Sequence, residues 1–298
     1  MEITNKQGLP EALVTAVRLD PYTRGDSDYS VTELLKPPRI TALTAMHKDK
    51  LVDDASDRLW SLYGQIVHTI LERANQADLV EQRFYAEFSG KRVGGQFDNL
   101  SIASKTLSDW KFTTSWGFKL GQPIKAEWVA QLNMLLEILR RQPQPSAIEK
   151  LQIIGLLRDW SILEAKRTSD YPKKGVVTVP IEMWSREQTV SFIEHRIELH
   201  EAARKITEDK DLPLCSGEDR WAKQDMWAVM KGQRAIRFGL CFSEKAAEEM
   251  QRKNADTRIE FRPGFSTRCN SYCSVSDFCS QYQTTLKGAE DEISEGPA

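Results

Sequence analysis

The spacing of hydrophobic residues changes along the chain, and each spacing predicts a different element. Residues 83–88 place apolar side chains at every second position, which is typical of a strand with one buried face. Residues 91–100 and 106–112 are also strand-like and follow at once, so the pattern predicts a hairpin and a third strand. Short apolar runs at 151–157 and 175–181 predict further strands of a central sheet.

Helical spacing of apolar residues predicts helices before and after this strand region. One helix is expected from about 54 to 75 and another over 126–141. A third is expected over 185–206, where Ser185 and Gln188 form a capping-box pattern. Strands and helices in this order predict an α/β fold with a central mixed β-sheet flanked by helices.

Two carboxylates and one lysine lie in the predicted strands. Asp98 follows the glycine pair Gly94-Gly95, and Asp109 and Lys111 are two residues apart, so they share one face of their strand. Two carboxylates suit Mg²⁺ or Mn²⁺, and a lysine beside such a cation can orient or deprotonate a water molecule. An Asp-x-Lys tripeptide alone is common on exposed strands, so its significance depends on the surrounding residues.

The predicted helices add two polar residues to this group. His68 lies close to the apolar stripe of the first helix, and Gln131 is flanked by leucines in the second. A buried, hydrogen-bonded histidine and a glutamine solvated at the edge of the stripe are the ordinary interpretations. Helix, hairpin and helix in this order would nevertheless bring five side chains together: His68, Asp98, Asp109, Lys111 and Gln131.

This ordered set of motifs resembles the PD-(D/E)XK nuclease superfamily, in its RecB-like exonuclease branch, and most of all the phage-encoded members. In that branch a helical Gly-x-x-x-His precedes a Gly-x-x-Asp strand end, an Asp/Glu-x-Lys strand and a helix with Gln-x-x-x-Tyr. The matching residues are Gly64 with His68, Gly95 with Asp98, Asp109 with Lys111, and Gln131. Leu135 occupies the tyrosine position. The match spans about residues 29–281.

The resemblance implies a restriction-endonuclease-like core and a role for each motif residue. The implied metal ligands are His68, Asp98, Asp109 and the main-chain carbonyl of Trp110. Lys111 would serve the attacking water, and Gln131 would position the substrate or the lysine. Glu72, Glu81 and Glu87 are possible additions to the metal shell, but each is interpreted as an exposed charge.

The activity that the resemblance implies is divalent-metal-dependent hydrolysis of DNA. An exonuclease acting on linear or single-stranded DNA in recombination, repair or replication is expected. A structure-selective endonuclease is one alternative, and a catalytically silent DNA-binding module is another, since Leu135 departs from the motif. The sequence has no phosphate-cradling glycine loop of the Walker type, so a helicase or recombination partner would be a separate chain.

The cysteines form a second group. Cys269, Cys273 and Cys279 are closely spaced, whereas Cys215 and Cys241 stand apart. We expect a cytoplasmic protein of a bacterium or a phage-infected cell, without a membrane segment, so the thiols should be reduced and suited to metal binding. Four thiolates can hold a [4Fe–4S] cluster or one Zn²⁺.

The RecB-like branch often carries an iron–sulfur cluster with one cysteine before the catalytic motifs and three after them. Here no cysteine precedes Cys215. Cys215 is therefore the proposed fourth ligand and Cys241 the reserve. Buried thiols without a metal are the alternative interpretation.

Composition limits how the chain could bind DNA. The 298 residues carry a net charge of −2, so DNA would have to contact a local patch. In the loop 113–121, Trp116 is a candidate for stacking on a base of single-stranded DNA, with Lys119 beside it.

Four segments are expected along the chain. They are an N-terminal arm (1–27), a nuclease core (28–207), a C-terminal cysteine-bearing lobe (208–285) and an acidic, flexible tail (286–298).

Overall fold

A computed structural model describes residues 2–20, 23–74, 78–144 and 147–284. The chain divides into two compact units, which are Met1–Lys36 with Val52–Ala202, and Pro37–Leu51 with Ala203–Ala298. The second unit resumes at Ala203, against the predicted 208, and it also takes in a segment of the predicted core. The predicted tail, 286–298, lies outside the described residues.

The elements are, in chain order, β1 (Glu2–Thr4), α1 (Glu11–Arg18), β2 (Tyr29–Ser30), α2 (Val31–Leu35), α3 (Pro38–Met46), β3 (Val52–Asp54), α4 (Leu59–Ala74), β4 (Leu79–Phe88), β5 (Lys91–Ser101), β6 (Thr106–Thr113), α5 (Ala126–Arg140), β7 (Lys150–Leu157), α6 (Ile162–Arg167), β8 (Val176–Ile181), α7 (Arg186–Arg204), β9 (Met226–Lys231), β10 (Arg234–Cys241), α8 (Glu244–Arg252), β11 (Arg258–Arg262) and α9 (Thr267–Ser271). Among the described residues, no helix is both long enough and apolar enough to cross a membrane.

A six-stranded mixed sheet organises the first unit. Its order is β2-β5-β6-β7-β8, with β4 paired to β5. The β2–β5 and β6–β7 pairs are parallel, and the other pairs are antiparallel. Side chains of α5 and α7 join the sheet in one hydrophobic core. The predicted α/β fold with a central mixed sheet and flanking helices is confirmed.

A two-residue turn fixes the register of the β4–β5 hairpin. Ser89 and Gly90 have φ angles of 48° and 71°, the left-handed conformation that a type I′ hairpin turn requires at both positions. Phe88 therefore pairs with Lys91, and the same register continues to Leu79 and Leu100. It places Glu81 opposite Asp98.

Gly95 lets α5 approach the sheet closely. A Cβ atom added at Gly95 would lie 2.5 Å from Cδ2 of Leu135 and 3.2 Å from Cδ1 of Ile138. Leu135 is itself buried in the core. The residue at the tyrosine position of the motif therefore packs against the sheet in this chain.

Gly155 provides a stability test of the sheet beside Lys111, with which it pairs. A Cβ at Gly155 would lie 2.5–3.0 Å from three ring atoms of Phe118, closer than side chains tolerate. We expect Gly155→Ala to lower the free energy of unfolding by about 1–3 kcal/mol through overpacking. Gly175→Ala is the matched control, because its Cβ would meet Trp160 at an ordinary 3.6 Å. Urea unfolding measures both, and equal stabilities would contradict the packing described here.

Within the predicted N-terminal arm, the described residues include one strand and one helix. β1 pairs in parallel with β3, and α1 buries Val14. Asp54 accepts hydrogen bonds from the main-chain N–H of Lys6 at 2.7 Å and from Oγ1 of Thr4 at 2.8 Å. These donors, the Lys6 N–H first, hold the pKa of Asp54 well below its ordinary value. A three-residue strand and an eight-residue helix are too short for periodicity to reveal them.

The second unit contains an antiparallel sheet of order β10-β9-β11. One small core forms where Val229 and Cys241 pack with Ala247 of α8. A separate core joins residues of α3, including Leu43, to Cys279 near the end of the described chain. The segment that carries α3 thus belongs to this unit through its packing, which the local sequence pattern did not indicate.

Candidate metal centres

Three side chains of the first unit form a group with metal-ligand spacing. They are His68 of α4, Glu81 of β4 and Asp98 of β5, and one ligand atom from each lies within 4.8 Å of the others. Nδ1 of His68 is hydrogen-bonded to Oε1 of Glu81 at 2.9 Å and lies 3.7 Å from Oδ1 of Asp98. Histidine and two carboxylates form a donor set suited to Mn²⁺ or Mg²⁺.

Glu81 is the member of this group that the sequence interpretation missed, because it was taken for an exposed charge. It is half-buried, its backbone has a left-handed φ of 48°, and Nε2 of Gln96 donates to its Oε2 at 2.8 Å. Non-glycine residues held in this conformation cluster at functional sites. The signal that could have found Glu81 is the turn at Ser89-Gly90, because a two-residue loop there places Glu81 opposite Asp98. Glu72 and Glu87 are exposed, as the sequence predicted.

Asp98 is held where the β5–β6 ladder opens. The last pair of this ladder before Asp98 is Asn99 with Ser108, and beyond that pair the main-chain N–H of Trp110 donates to Oδ2 of Asp98 at 2.6 Å. Burial first, and then the charge of Asp109, raises the pKa of Asp98 to about 8. Crowded, desolvated carboxylates of this kind are stabilised by a bound cation, so the residues fit a divalent metal.

The hydrogen bond with Glu81 is the largest influence on His68, and it raises the pKa of the imidazole. Burial acts in the opposite direction, and the charge of Asp98 adds to the upward shift. The local field around His68 is therefore negative, as a cation site requires.

Asp109, Lys111 and Gln131 form a closed set of contacts beside Asp98. Nζ of Lys111 lies 2.7 Å from Oδ2 of Asp109 and donates to Oε1 of Gln131 at 3.0 Å. Nε2 of Gln131 donates to Oδ1 of Asp109 at 2.9 Å. Gln131 is thus paired rather than solvated at the edge of its helix. Each of the three side chains fixes the other two, so the position of the ammonium group is well defined.

The structure therefore brings the five predicted side chains into one region of the first unit, and adds Glu81. Asp109 faces Lys111 and Gln131, whereas Glu81 completes the group of three with His68 and Asp98. A cavity of about 170 Å³ borders Glu81, Asp98 and Trp110.

The two residues proposed for DNA contact follow β6. Trp116 is 64% exposed in a short 3₁₀ turn, Ser115–Phe118, and Lys119 comes directly after it. Trp116 thus presents an accessible ring, whereas Phe118 turns inward and packs against Trp128.

Four cysteines line one cavity of about 20 Å³ in the second unit. They are the four proposed from sequence: Cys215, Cys269, Cys273 and Cys279. Cys241, the reserve, instead lies in the small core beside α8. The cavity also includes Arg39, which is 1% exposed and donates from Nε to Sγ of Cys279 at 3.2 Å.

The thiols fit a thiolate-bound metal by their chemistry. Burial is the largest cause of the raised thiol pKa at Cys215, Cys269 and Cys273. It raises the pKa of Cys215 to about 12. Nearby cysteines raise these three pKa values further, so a cationic centre would favour the joint ionisation of Cys215, Cys269 and Cys273.

The spacing of the sulfurs does not select one metal. Tetrahedral Zn²⁺ with bonds of about 2.3 Å would draw its sulfurs to within roughly 4 Å. Among the described residues, the group of three ligands within 4.8 Å contains no cysteine. A cavity of about 20 Å³ holds one water-sized ion, so an iron–sulfur cluster would require it to widen. Either centre would reshape this cavity.

The fold and the two ligand groups define an α/β protein with two candidate metal centres. Neither a family model nor a curated protein matches the chain. Among solved structures, the crystal structure of SSO0001 is similar, with a TM-score of 0.44 and 17% sequence identity. The match covers 67% of this chain and 90% of that one. It is a distant structural neighbour and assigns no family.

Proposed function

We propose that the protein is a divalent-metal-dependent DNA nuclease with a RecB-like PD-(D/E)XK core. The observation that carries the proposal is the arrangement of two adjoining groups in the first unit. His68, Glu81 and Asp98 have metal-ligand spacing, and beside them the ammonium of Lys111 is held at 2.7 Å by Asp109. A cation site next to a fixed lysine is a combination that can promote hydrolysis of a phosphodiester.

His68, Glu81 and Asp98 would hold Mg²⁺ or Mn²⁺, and Asp109 and the carbonyl of Trp110 remain proposed ligands. When bound, the cation would polarise the phosphate and lower the pKa of a coordinated water.

Lys111 would orient the attacking water and offset the negative charge that develops on the phosphate. Gln131 would act as a positioning residue, because it contacts both Lys111 and Asp109. The fixed geometry matters because a small misplacement of a catalytic group costs much of its effect.

The proposed substrate is linear or single-stranded DNA, cut from its ends in recombination, repair or replication, with any helicase on a separate chain. A structure-selective endonuclease and a silent DNA-binding module are the alternatives. Closed circular DNA separates the first alternative from an exonuclease, because it offers no ends.

The test is cleavage of end-labelled linear single- and double-stranded DNA with Mg²⁺ or Mn²⁺, and with a chelator. We expect Lys111→Ala to lower the cleavage rate by about 10²–10⁴-fold, the usual contribution of a positioned proton-transfer group. Lys105→Ala is the matched control, since Lys105 is an exposed lysine immediately before the same strand, where it pairs with Glu149. Its rate should equal that of the wild type.

Three outcomes would contradict parts of this proposal. Cleavage that survives both Lys111→Ala and the chelator would contradict the assigned site. Nicking of closed circles would favour the endonuclease. A folded wild type that binds DNA without cutting it in any of these conditions would favour the binding module.

We also propose that Cys215, Cys269, Cys273 and Cys279 hold a [4Fe–4S] cluster, with Zn²⁺ as the alternative. Support comes from the convergence of these four thiols, and not Cys241, on one cavity. These residues would make the second unit the cysteine-bearing lobe that the sequence predicted.

A further inference from the structure

An open groove of about 480 Å³ in the second unit combines aromatic and basic side chains. Its lining includes Lys223, Trp227, Phe242 and Phe265, together with Arg220. We name these five residues the aromatic groove. None of them belongs to the cysteine cavity except Arg220, which borders both.

The phenylalanines of the groove are unusually accessible. Phe242 is 70% exposed and Phe265 is 44% exposed. Exposed apolar rings lower solubility and gain nothing for folding, so a grouped set of them marks an interaction surface. Exposed aromatic rings are suited to stacking against a flat ligand.

Cations accompany the exposed rings. Nζ of Lys223 lies 4.8 Å from the ring centre of Phe265. At the adjoining bridge between Ala222 and Ser266, the guanidinium of Arg268 lies 4.5 Å from the ring of Trp221. A ligand that meets these rings also meets positive charge, so an anionic ligand is favoured.

Between the groove-lining residues Arg220 and Ala222, the backbone of Trp221 is held at a conformational cost. Trp221 is 43% exposed and has a left-handed φ of 51°, which bulky residues rarely adopt. Its carbonyl is nonetheless fixed by the N–H of Thr267. Strained backbone that displays a side chain to solvent is typical of binding sites.

The acidic residue of the groove does not cancel its charge. Asp225 lines the groove, and its Oδ1 accepts the main-chain N–H of Gly264 at 2.7 Å. That contact fixes the loop and gives Asp225 a structural role. The groove lining therefore carries two cationic side chains, Lys223 and Arg220, and one carboxylate.

We propose that the aromatic groove binds single-stranded nucleic acid. Unpaired bases would stack on Phe242 and Phe265, and the phosphates between them would meet Lys223 and Arg220. A duplex would bind weakly, because its bases are already stacked on one another. Single strands would then be the substrate class of the proposed nuclease. This assignment rests on the proposed nuclease function, although its test requires no cleavage.

The test measures fluorescence anisotropy of a labelled thymidine oligonucleotide with the full chain in chelator, so that no metal-dependent cutting occurs. We expect Phe242→Ala and Phe265→Ala each to weaken binding roughly tenfold through the loss of one stacked base. Lys223→Ala should reduce the slope of log affinity against log salt by about 0.7, the contribution of one phosphate contact. Oligouridine in the same assay distinguishes RNA from DNA.

Two controls make the result specific. Phe238→Ala removes a ring that is 76% exposed on β10 and has its own arginine, Arg237, at 4.9 Å, but lies outside the groove lining. It should bind as the wild type does. An abasic oligonucleotide of equal length keeps the phosphates but has no bases to stack. It should bind the wild type more weakly than the thymidine strand does, and Phe242→Ala should not weaken that binding further.

The proposal would be overturned if both phenylalanine variants bound the thymidine strand as tightly as the wild type, or if abasic and thymidine strands bound alike. Loss of binding in Phe238→Ala to the same extent would also overturn it, by showing a general surface effect. Thermal unfolding of each variant verifies that it is folded. Because Lys111→Ala leaves the groove intact, failure here and failure of the proposed cleavage are separate results.

Discussion

Glu81→Gln should raise the Mn²⁺ concentration that half-saturates the protein by tenfold or more. Substituting a residue that only supports a metal ligand typically lowers the metal affinity by roughly 10–100-fold. Glu81 is assigned as a ligand itself, so its substitution should have at least a comparable effect. The substitution keeps the shape of the side chain and its capacity to bond Gln96, and it removes the charge. The loss therefore reports the electrostatic contribution of this one carboxylate.

Isothermal titration with Mn²⁺ measures the affinity without DNA, so the result is independent of cleavage. Glu72→Gln is the matched control, because Glu72 borders the same 170 Å³ cavity and is exposed, outside the group of three. We expect it to retain the wild-type affinity. Equal affinity in wild type and Glu81→Gln would show that His68, Glu81 and Asp98 do not form the cation site.

The sequence predicted most of this site because its residues follow local rules. Asp109 and Lys111 share a strand face at a spacing of two, and Gly95 before Asp98 has a packing reason in the close approach of Leu135. Helical periodicity likewise located α4 and α5, which carry His68 and Gln131.

Glu81 was missed because its role arises between strands. Nothing in the residues around it distinguishes it from Glu87, which is exposed six positions later. Only the register set by Ser89 and Gly90 brings it opposite Asp98. Sequence patterns report which face a residue takes, whereas a site formed across strands also depends on register.

The second unit was harder to predict because its packing is non-local. Arg39 lies within α3, more than 170 residues before Cys215, and yet both border one cavity. Its guanidinium also donates to the main-chain carbonyl of Leu212 and contacts Asp209. A buried arginine with several partners gives no periodic signal, so α3 could be assigned only from the structure.

Cys215→Ala should remove the metal proposed for the second unit, and Cys241→Ala should leave it unchanged. Each substitution replaces one thiol by a small apolar side chain, so the two variants differ in position rather than chemistry. Cys215 lines the cavity with Cys269, Cys273 and Cys279, whereas Cys241 packs against Val229. Loss of one ligand of four should abolish tight binding, because thiolate centres bind cooperatively with the folding around them.

The measurement is iron, acid-labile sulfide and zinc per chain after anaerobic purification. About four iron and four sulfide in wild type and Cys241→Ala, with little in Cys215→Ala, is the result expected for a [4Fe–4S] centre. About one zinc instead would establish the alternative. The reverse pattern between the two variants would make Cys241 the fourth ligand, and a wild type without any of the three elements would show that the thiols are structural. Since the four thiols line one cavity of about 20 Å³, a metal bound there should also slow amide exchange around residues 269–279, because either centre would link the segments that line the cavity.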